Sequence, residues 1–135
     1  MEIRPVKGTP FDFTVPRSVG EKIGETYENT VLDGYDHNFV LDNKKKVDAT
    51  VYDPVSGRIM EVITDQPGMQ FFSGNGQTWK KSAGSGNIPV NTRSGFALET
   101  QHYPDSPNHP DFPSTILSPG EQFKSRTIYR FSVKK

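Results

Sequence analysis

Two carboxylates in this chain have neighbours that invite chemistry. Glu99 stands inside "GFALETQ", an otherwise apolar run that reads as a strand, and Asp36 lies in "LDGYDHNFVLD", beside another strand-like run. A carboxylate within reach of a hydroxyl can take its proton, and one that only accepts hydrogen bonds can fix a polar ligand in place. Each also has a plainer reading. Asp36 follows Gly34 closely enough to be a turn residue bonding its own backbone, and Glu99 suits an edge strand facing water. Composition and periodicity leave both readings open.

Other chemistries find less support. The histidines, His37, His102 and His109, show neither a His-x-His nor a His-Glu-x-x-His spacing, so no metal centre is expected. A Ser-His-Asp triad has no Gly-x-Ser-x-Gly elbow to carry its nucleophile. Prolines at 104, 107, 110 and 113 repeat every three residues, the period of a polyproline II helix. No basic residue flanks them as in a PxxP ligand, so they read as a rigid loop wrapping the domain.

The 135 residues suffice for one domain, 1–135, with a single core. Lys plus Arg and Asp plus Glu both number 16, a balance with no electrostatic footprint for nucleic acid or an anionic membrane. The run Lys44-Lys45-Lys46 reads as a solvated turn. Without cysteine there is no disulfide, thiolate chemistry or Cys-based metal site. No apolar window approaches the ~18 residues of a spanning helix, and "MEIRPVKGTPFDFTV" is not a signal peptide. A reduced, cytoplasmic setting fits this composition.

The elements that must position the carboxylates are strands. Apolar residues are only 32% of the chain, though nine Phe and five Tyr offset that because each buries a large area. Periodicity is mostly two. Val47, Ala49 and Val51 alternate with Asp48, Thr50 and Tyr52, while "RIMEVIT" has apolar residues on both faces, as in a strand covered on two sides. "DPVSGR" between them predicts a hairpin loop, and Pro67-Gly68 a type II turn. In "RTIYRFSV", Tyr129, Phe131 and Val133 share one face. Only Arg17 to Asn29 suggests a short helix, weakened by Gly20 and Gly24. "KKSAGSGNIPVNTRSG" reads as a surface loop leading to the Glu99 strand. The fold class is all-β, a β-sandwich.

Four segments, "GTPFDF", "GYDHNFVL", "TDQPGMQFFSGN" and "GFALETQHYPDSPNHPDFPSTILSPGE", resemble motifs of the galactose mutarotases, or aldose 1-epimerases, in that family's order and spacing. The resemblance runs from Ile3 to Val133 and corresponds to the carboxyl-terminal portion of the family's longer chains. It implies part of a β-supersandwich acting on free aldohexoses such as galactose or glucose, with no cofactor or metal. It also implies that Glu99 is the general base and that Asp36 and Gln70 contact the sugar. The family's general-acid histidine sits in an upstream "NHSYFNL"-like motif, and its second sugar-binding histidine further upstream. Neither motif occurs here, and the acid role passes to neither His37 nor His102. The resemblance thus describes a truncated product, half of a split gene, or a shortened paralogue. In each case unpaired edges and an uncovered apolar face are expected, met by pairing with an amino-terminal half or by self-association.

Overall fold

Residues 2–26, 34–42, 46–76 and 88–134 are described by the computed structural model. Their regular structure is strand, broken by short 3₁₀ turns: β1 (Asp36–Val40), β2 (Ala49–Tyr52), β3 (Arg58–Thr64), β4 (Gly68–Phe72), β5 (Ala97–Gln101) and β6 (Thr127–Val133). They form two three-stranded sheets, β1-β4-β5 and β2-β3-β6. The all-β sandwich class expected from the period-two pattern is therefore the observed one. The chain gathers into two compact units, Met1–His37 with Gln70–Leu98 and Asn38–Met69 with Glu99–Lys135, the divisions falling inside β1, β4 and β5.

In the first sheet, β1 and β4 are antiparallel. Ser73 N–H donates to Tyr35 O at one end and Leu41 N–H to Pro67 O at the other, both at 2.9 Å. The second sheet is antiparallel throughout and lies within the second unit. The predicted hairpin joins β2 to β3: Asp53 N–H donates to Arg58 O, Gly57 N–H returns to Asp53 O, and Gly57 takes a positive φ of 72°. Asp53 fastens the loop by accepting from the Ser56 hydroxyl and the Val55 and Ser56 N–H groups. Those bonds hold its carboxyl below the usual range.

β3 is the middle strand, and its two-sided apolar pattern serves that position. Val62 is 0% exposed, and Ile59 and Ile63 on the opposite face are half-buried. β6 differs. Its register places Tyr129, Phe131 and Val133 opposite Val62, Met60 and Arg58, on one face as expected. Yet Phe131 is 73% and Val133 64% exposed.

Three expectations need correction or refinement. The helix at Arg17–Asn29 is replaced, within the described residues, by a 3₁₀ turn at Ile23–Glu25, and 27–29 lie outside them. No side chain caps it at Lys22, and Gly20 and Gly24 penalise a longer helix. Pro67-Gly68 is no type II turn, because Gly68 opens β4 without the positive φ that turn requires. Residues 65–67 instead carry the chain from one sheet to the other. Glycine is needed at 68 for close approach: a Cβ there would lie 2.8 Å from Asn38 Oδ1 and 3.0 Å from Tyr103 Cδ1.

The proline ladder is a loop, as expected, but it is folded rather than extended. Backbone bonds link Ser106 to Tyr103, Asn108 to Asp105, His109 to Ser106 and Phe112 to His109. Phe112 is buried against the rings of Tyr103 and His109. The Lys44–Lys45 pair and the loop up to residue 87 lie outside the described residues.

Two measurements check this account. Val62→Ala removes two buried methyl groups and leaves a cavity, so urea denaturation should register a loss of about 2 kcal/mol. Asp105 accepts from the Asn108 amide and faces His109, and these hold its carboxyl below the usual value. A depressed folded-state pKa gives stability that is complete above the unfolded pKa and is lost as pH falls through the folded one. NMR titration of Asn108→Ala should move the Asp105 midpoint up toward the ordinary carboxylate value.

Candidate functional site

The site in the first unit is built around Tyr35. Its ring is 0% exposed, stacked on Phe71 with centroids 5.0 Å apart and edge-on to Phe13 at 5.3 Å. Its hydroxyl donates to Pro10 O at 3.0 Å, and Arg17 donates to both of those oxygens while lying over the Phe13 ring. Burial pushes the Tyr35 hydroxyl pKa up.

The backbone of Tyr35 is clamped as firmly as its ring. Its N–H donates to Ser73 Oγ at 2.9 Å, Ser73 Oγ donates to Asn75 Oδ1 at 2.6 Å, and Asn75 Nδ2 returns to Tyr35 O at 2.9 Å. All these groups are buried, so each bond replaces one otherwise made to water. The ring of bonds explains Gly34, whose φ is 130° and whose added Cβ would fall 1.9 Å from Asn75 Oδ1. Thr26, also buried, accepts the Gly34 N–H at 3.0 Å.

Successive strand residues face opposite ways, so burying Tyr35 turns Asp36 outward. Asp36 opens β1 and is exposed, which replaces the turn reading with a strand one. On β4, burial of Phe71 likewise turns Gln70 away from the aromatic cluster. The two outward side chains meet: Gln70 Nε2 donates to Asp36 Oδ1 at 2.7 Å. Gln70 Oε1 is enclosed and, among the described residues, has no hydrogen-bond partner. Asp36 N–H donates to His37 Nδ1 at 3.0 Å, which places any single imidazole proton on Nε2. The His37 ring packs on Phe11, centroids 4.5 Å apart.

Glu99 occupies the centre of β5, in the second unit, and is exposed although its neighbours Leu98 and Thr100 are half-buried. The apolar run is therefore a half-buried strand, with the carboxylate on the wet side. Also in that unit, His102 Nδ1 lies 3.1 Å from Oε1 of buried Gln66, which donates to Ser125 Oγ at 3.0 Å. His102 and Gln66 line an open hollow of about 780 Å³ together with Pro67, Pro113 and Phe123. Among the described residues, no three His, Asp or Glu side chains gather as metal ligands. Sequence reasoning passed over Tyr35, Ser73 and Asn75, although the small polar run Ser73-Gly74-Asn75 after β4 marks a tight, bonded turn.

Two antiparallel sheets and a carboxylate–amide pair on the outward side of β1 and β4 define an all-β protein with groups suited to hydroxyl ligands. A family model described as aldose 1-epimerase matches residues 1–130. Galactose mutarotase of Rattus norvegicus is 43% identical over 133 residues, covering 97% of this chain and 37% of the relative. The Homo sapiens galactose mutarotase is 40% identical over 98% of this chain and 38% of its own length. Aldose 1-epimerase of Escherichia coli (strain K12) is 37% identical over 96% of this chain and 38% of its own length. The chain belongs to the aldose 1-epimerase family. It spans a little over a third of the length of the curated relatives it matches.

Ser73→Ala strands the buried Tyr35 N–H and the Asn75 amide. It should cost about 1–3 kcal/mol in chemical unfolding followed by circular dichroism. The Gln70–Asp36 bond should weaken with it, seen as faster exchange of the Gln70 amide protons by NMR.

Proposed function

We propose that this chain is the carboxyl-terminal portion, a single domain over 1–135, of an aldose 1-epimerase. Such an enzyme interconverts the α- and β-anomers of aldohexoses such as galactose or glucose. In this reading Glu99 is the general base, and Asp36 and Gln70 bind sugar hydroxyls. The setting is cytoplasmic, in keeping with the absence of cysteine.

The observation that carries the reading is the 2.7 Å bond from Gln70 Nε2 to the exposed Asp36 carboxylate. The exposed carboxylate is an acceptor, the complement of a polyol's O–H donors. Ligand hydroxyls donating to Asp36 would make charge-assisted bonds and fix the ring's orientation, a positioning role.

The chemistry asks one more thing of the protein. Glu99 takes the proton from the anomeric hydroxyl, and the electron pair of that O–H bond forms the C1 carbonyl. The ring C1–O5 bond breaks, its pair going to O5, which must receive a proton from an acid. Rotation about C1–C2 presents the other face of the aldehyde. Return of O5 to C1 closes the opposite anomer, with both proton transfers reversed. A carboxylate is suited to the base when it lies within about 2.6–3.2 Å of the hydroxyl. The acid is assigned to a histidine of polypeptide outside the matched segment, since the family's histidine motifs do not occur in these 135 residues.

That same observation favours a second reading for the chain by itself, a carbohydrate-binding sandwich or remnant that retains sugar contacts without turnover. Polarimetry of freshly dissolved α-D-galactose separates the two. The parent chain should speed relaxation over buffer, and Glu99→Gln should lower the enzymatic rate by about 10²–10⁴-fold. Equal rates for both, matching buffer, would remove the enzyme reading for the isolated chain. Sugar-induced NMR shifts at Gln70 in that inactive chain would then establish the binding module.

A further inference from the structure

We propose that His37 is a positioning residue for the Asp36 carboxylate, seated by the amino-terminal turn that carries "GTPFDF". Its part is to hold Asp36 against Gln70, so that the pair meets sugar hydroxyls in one fixed geometry. The inference rests on the reading of Asp36 and Gln70 as sugar contacts.

The register of β1 creates the need. Ladder bonds at Tyr35 and Leu41 turn the odd-numbered residues of β1 toward β4, so the Asp36 N–H points the other way. β1 lies at the end of its sheet, and among the described residues no strand flanks that side. The Asp36 N–H donates instead to His37 Nδ1 at 3.0 Å. The side chain of Asp36 is tied separately, accepting from Gln70 Nε2 at 2.7 Å. A short charge-assisted bond tolerates little drift of the backbone that carries it, so the bond at the amide steadies the bond at the carboxylate.

A side chain serves as a fixed acceptor only when its own ring is held. His37 is half-buried, and its ring packs on Phe11 with centroids 4.5 Å apart. Phe11 in turn meets the Tyr35 ring edge-on at 6.0 Å. A tight turn fixes its backbone: the Thr9 N–H and hydroxyl both donate to Val6 O, and Thr9 Oγ1 accepts the Phe11 N–H at 3.1 Å. Asp12 closes the same turn, donating its N–H to Thr9 O and accepting the Gly8 N–H on its carboxylate. The line from this turn through Phe11, His37 and Asp36 to Gln70 lies wholly within the first unit.

Two variants separate the ring from its acceptor. His37→Phe keeps a ring against Phe11 but has nothing with which to accept. His37→Asn gives up the ring and places an amide oxygen close to where Nδ1 stood. Both are compared with the parent chain by amide NMR, first without ligand and then with D-galactose. In His37→Phe the Asp36 amide and the Gln70 side-chain amide should exchange about fivefold faster, the worth of one net hydrogen bond. The galactose concentration needed for half of the full shift at Gln70 should rise by about the same factor. The Ser73 amide, bonded to Tyr35 O in the ladder, should keep its parent rate, which a general loosening of the strand would not allow. His37→Asn should recover most of the Asp36 protection and of the galactose affinity.

The proposal is overturned if His37→Phe matches the parent at Asp36 and Gln70, or if His37→Asn fares no better than His37→Phe. Loss of Ser73 protection together with theirs would also overturn it, reducing His37 to general support of the fold. A parent chain whose Gln70 does not respond to galactose counts against the sugar reading alone. The exchange rates without ligand then decide whether His37 holds Asp36.

Discussion

The outward-facing chemistry of the first unit depends on one buried tyrosine. Tyr35 is held through its ring by Phe13 and Phe71, and through its backbone by the closed set of bonds from Ser73 and Asn75. With that residue fixed inward, the two-residue period of a strand leaves Asp36 only the outward side. A one-residue slip of β1 would bury the carboxylate and expose the ring, costing both burial and desolvation, so the register is strongly specified. Phe71 does the same for Gln70 on β4, and its stacking on Tyr35 couples the two strands. The Asp36–Gln70 pair is thus set by an aromatic cluster that touches neither polar group's working atoms.

How much of this was legible in the sequence follows the range of the forces involved. Strands announced by alternation, such as Ala49–Tyr52 and Thr127–Val133, and the hairpin at Asp53–Gly57 are governed by neighbours a few residues away. Gly68 is different. Its need for a missing side chain comes from Asn38 and Tyr103, each thirty or more positions distant, so the local Pro-Gly pattern pointed to a turn that does not form. The Arg17–Asn29 reading erred in the opposite direction. It was the one segment that suggested a short helix, but Gly20, Gly24 and an uncapped start leave only a 3₁₀ turn in the described part. The Asp36–Gln70 contact spans 34 positions and was not foreseen: family resemblance named both residues as sugar contacts, and nothing in composition singled out Gln70.

Burial is unevenly distributed. Among the described residues the buried apolar side chains are Tyr35, Val62, Met69, Phe71 and Phe112, while Phe123, Phe131, Val133 and Ile116 are largely exposed. A chain that is only 32% apolar has little such surface to spare, and leaving large side chains in water forfeits roughly 1.5–3 kcal/mol for each one that full burial would gain. Net stability of a domain is itself only about 5–15 kcal/mol, so a few uncovered aromatics are a substantial fraction of it.

The proposed chemistry asks for two proton carriers at once. Opening a hemiacetal ring requires a base at the anomeric hydroxyl and an acid at the ring oxygen together, because withdrawing one proton without supplying the other leaves charge on O5. Glu99 and the Asp36–Gln70 pair are candidates for half of that arrangement. A carboxylate cannot serve both ends at once, since the acid and base act on oxygens separated by the C1 centre and must be in opposite protonation states. On the proposed reading, the acid comes from the part of the family's sequence outside the matched segment, where its histidine motifs lie.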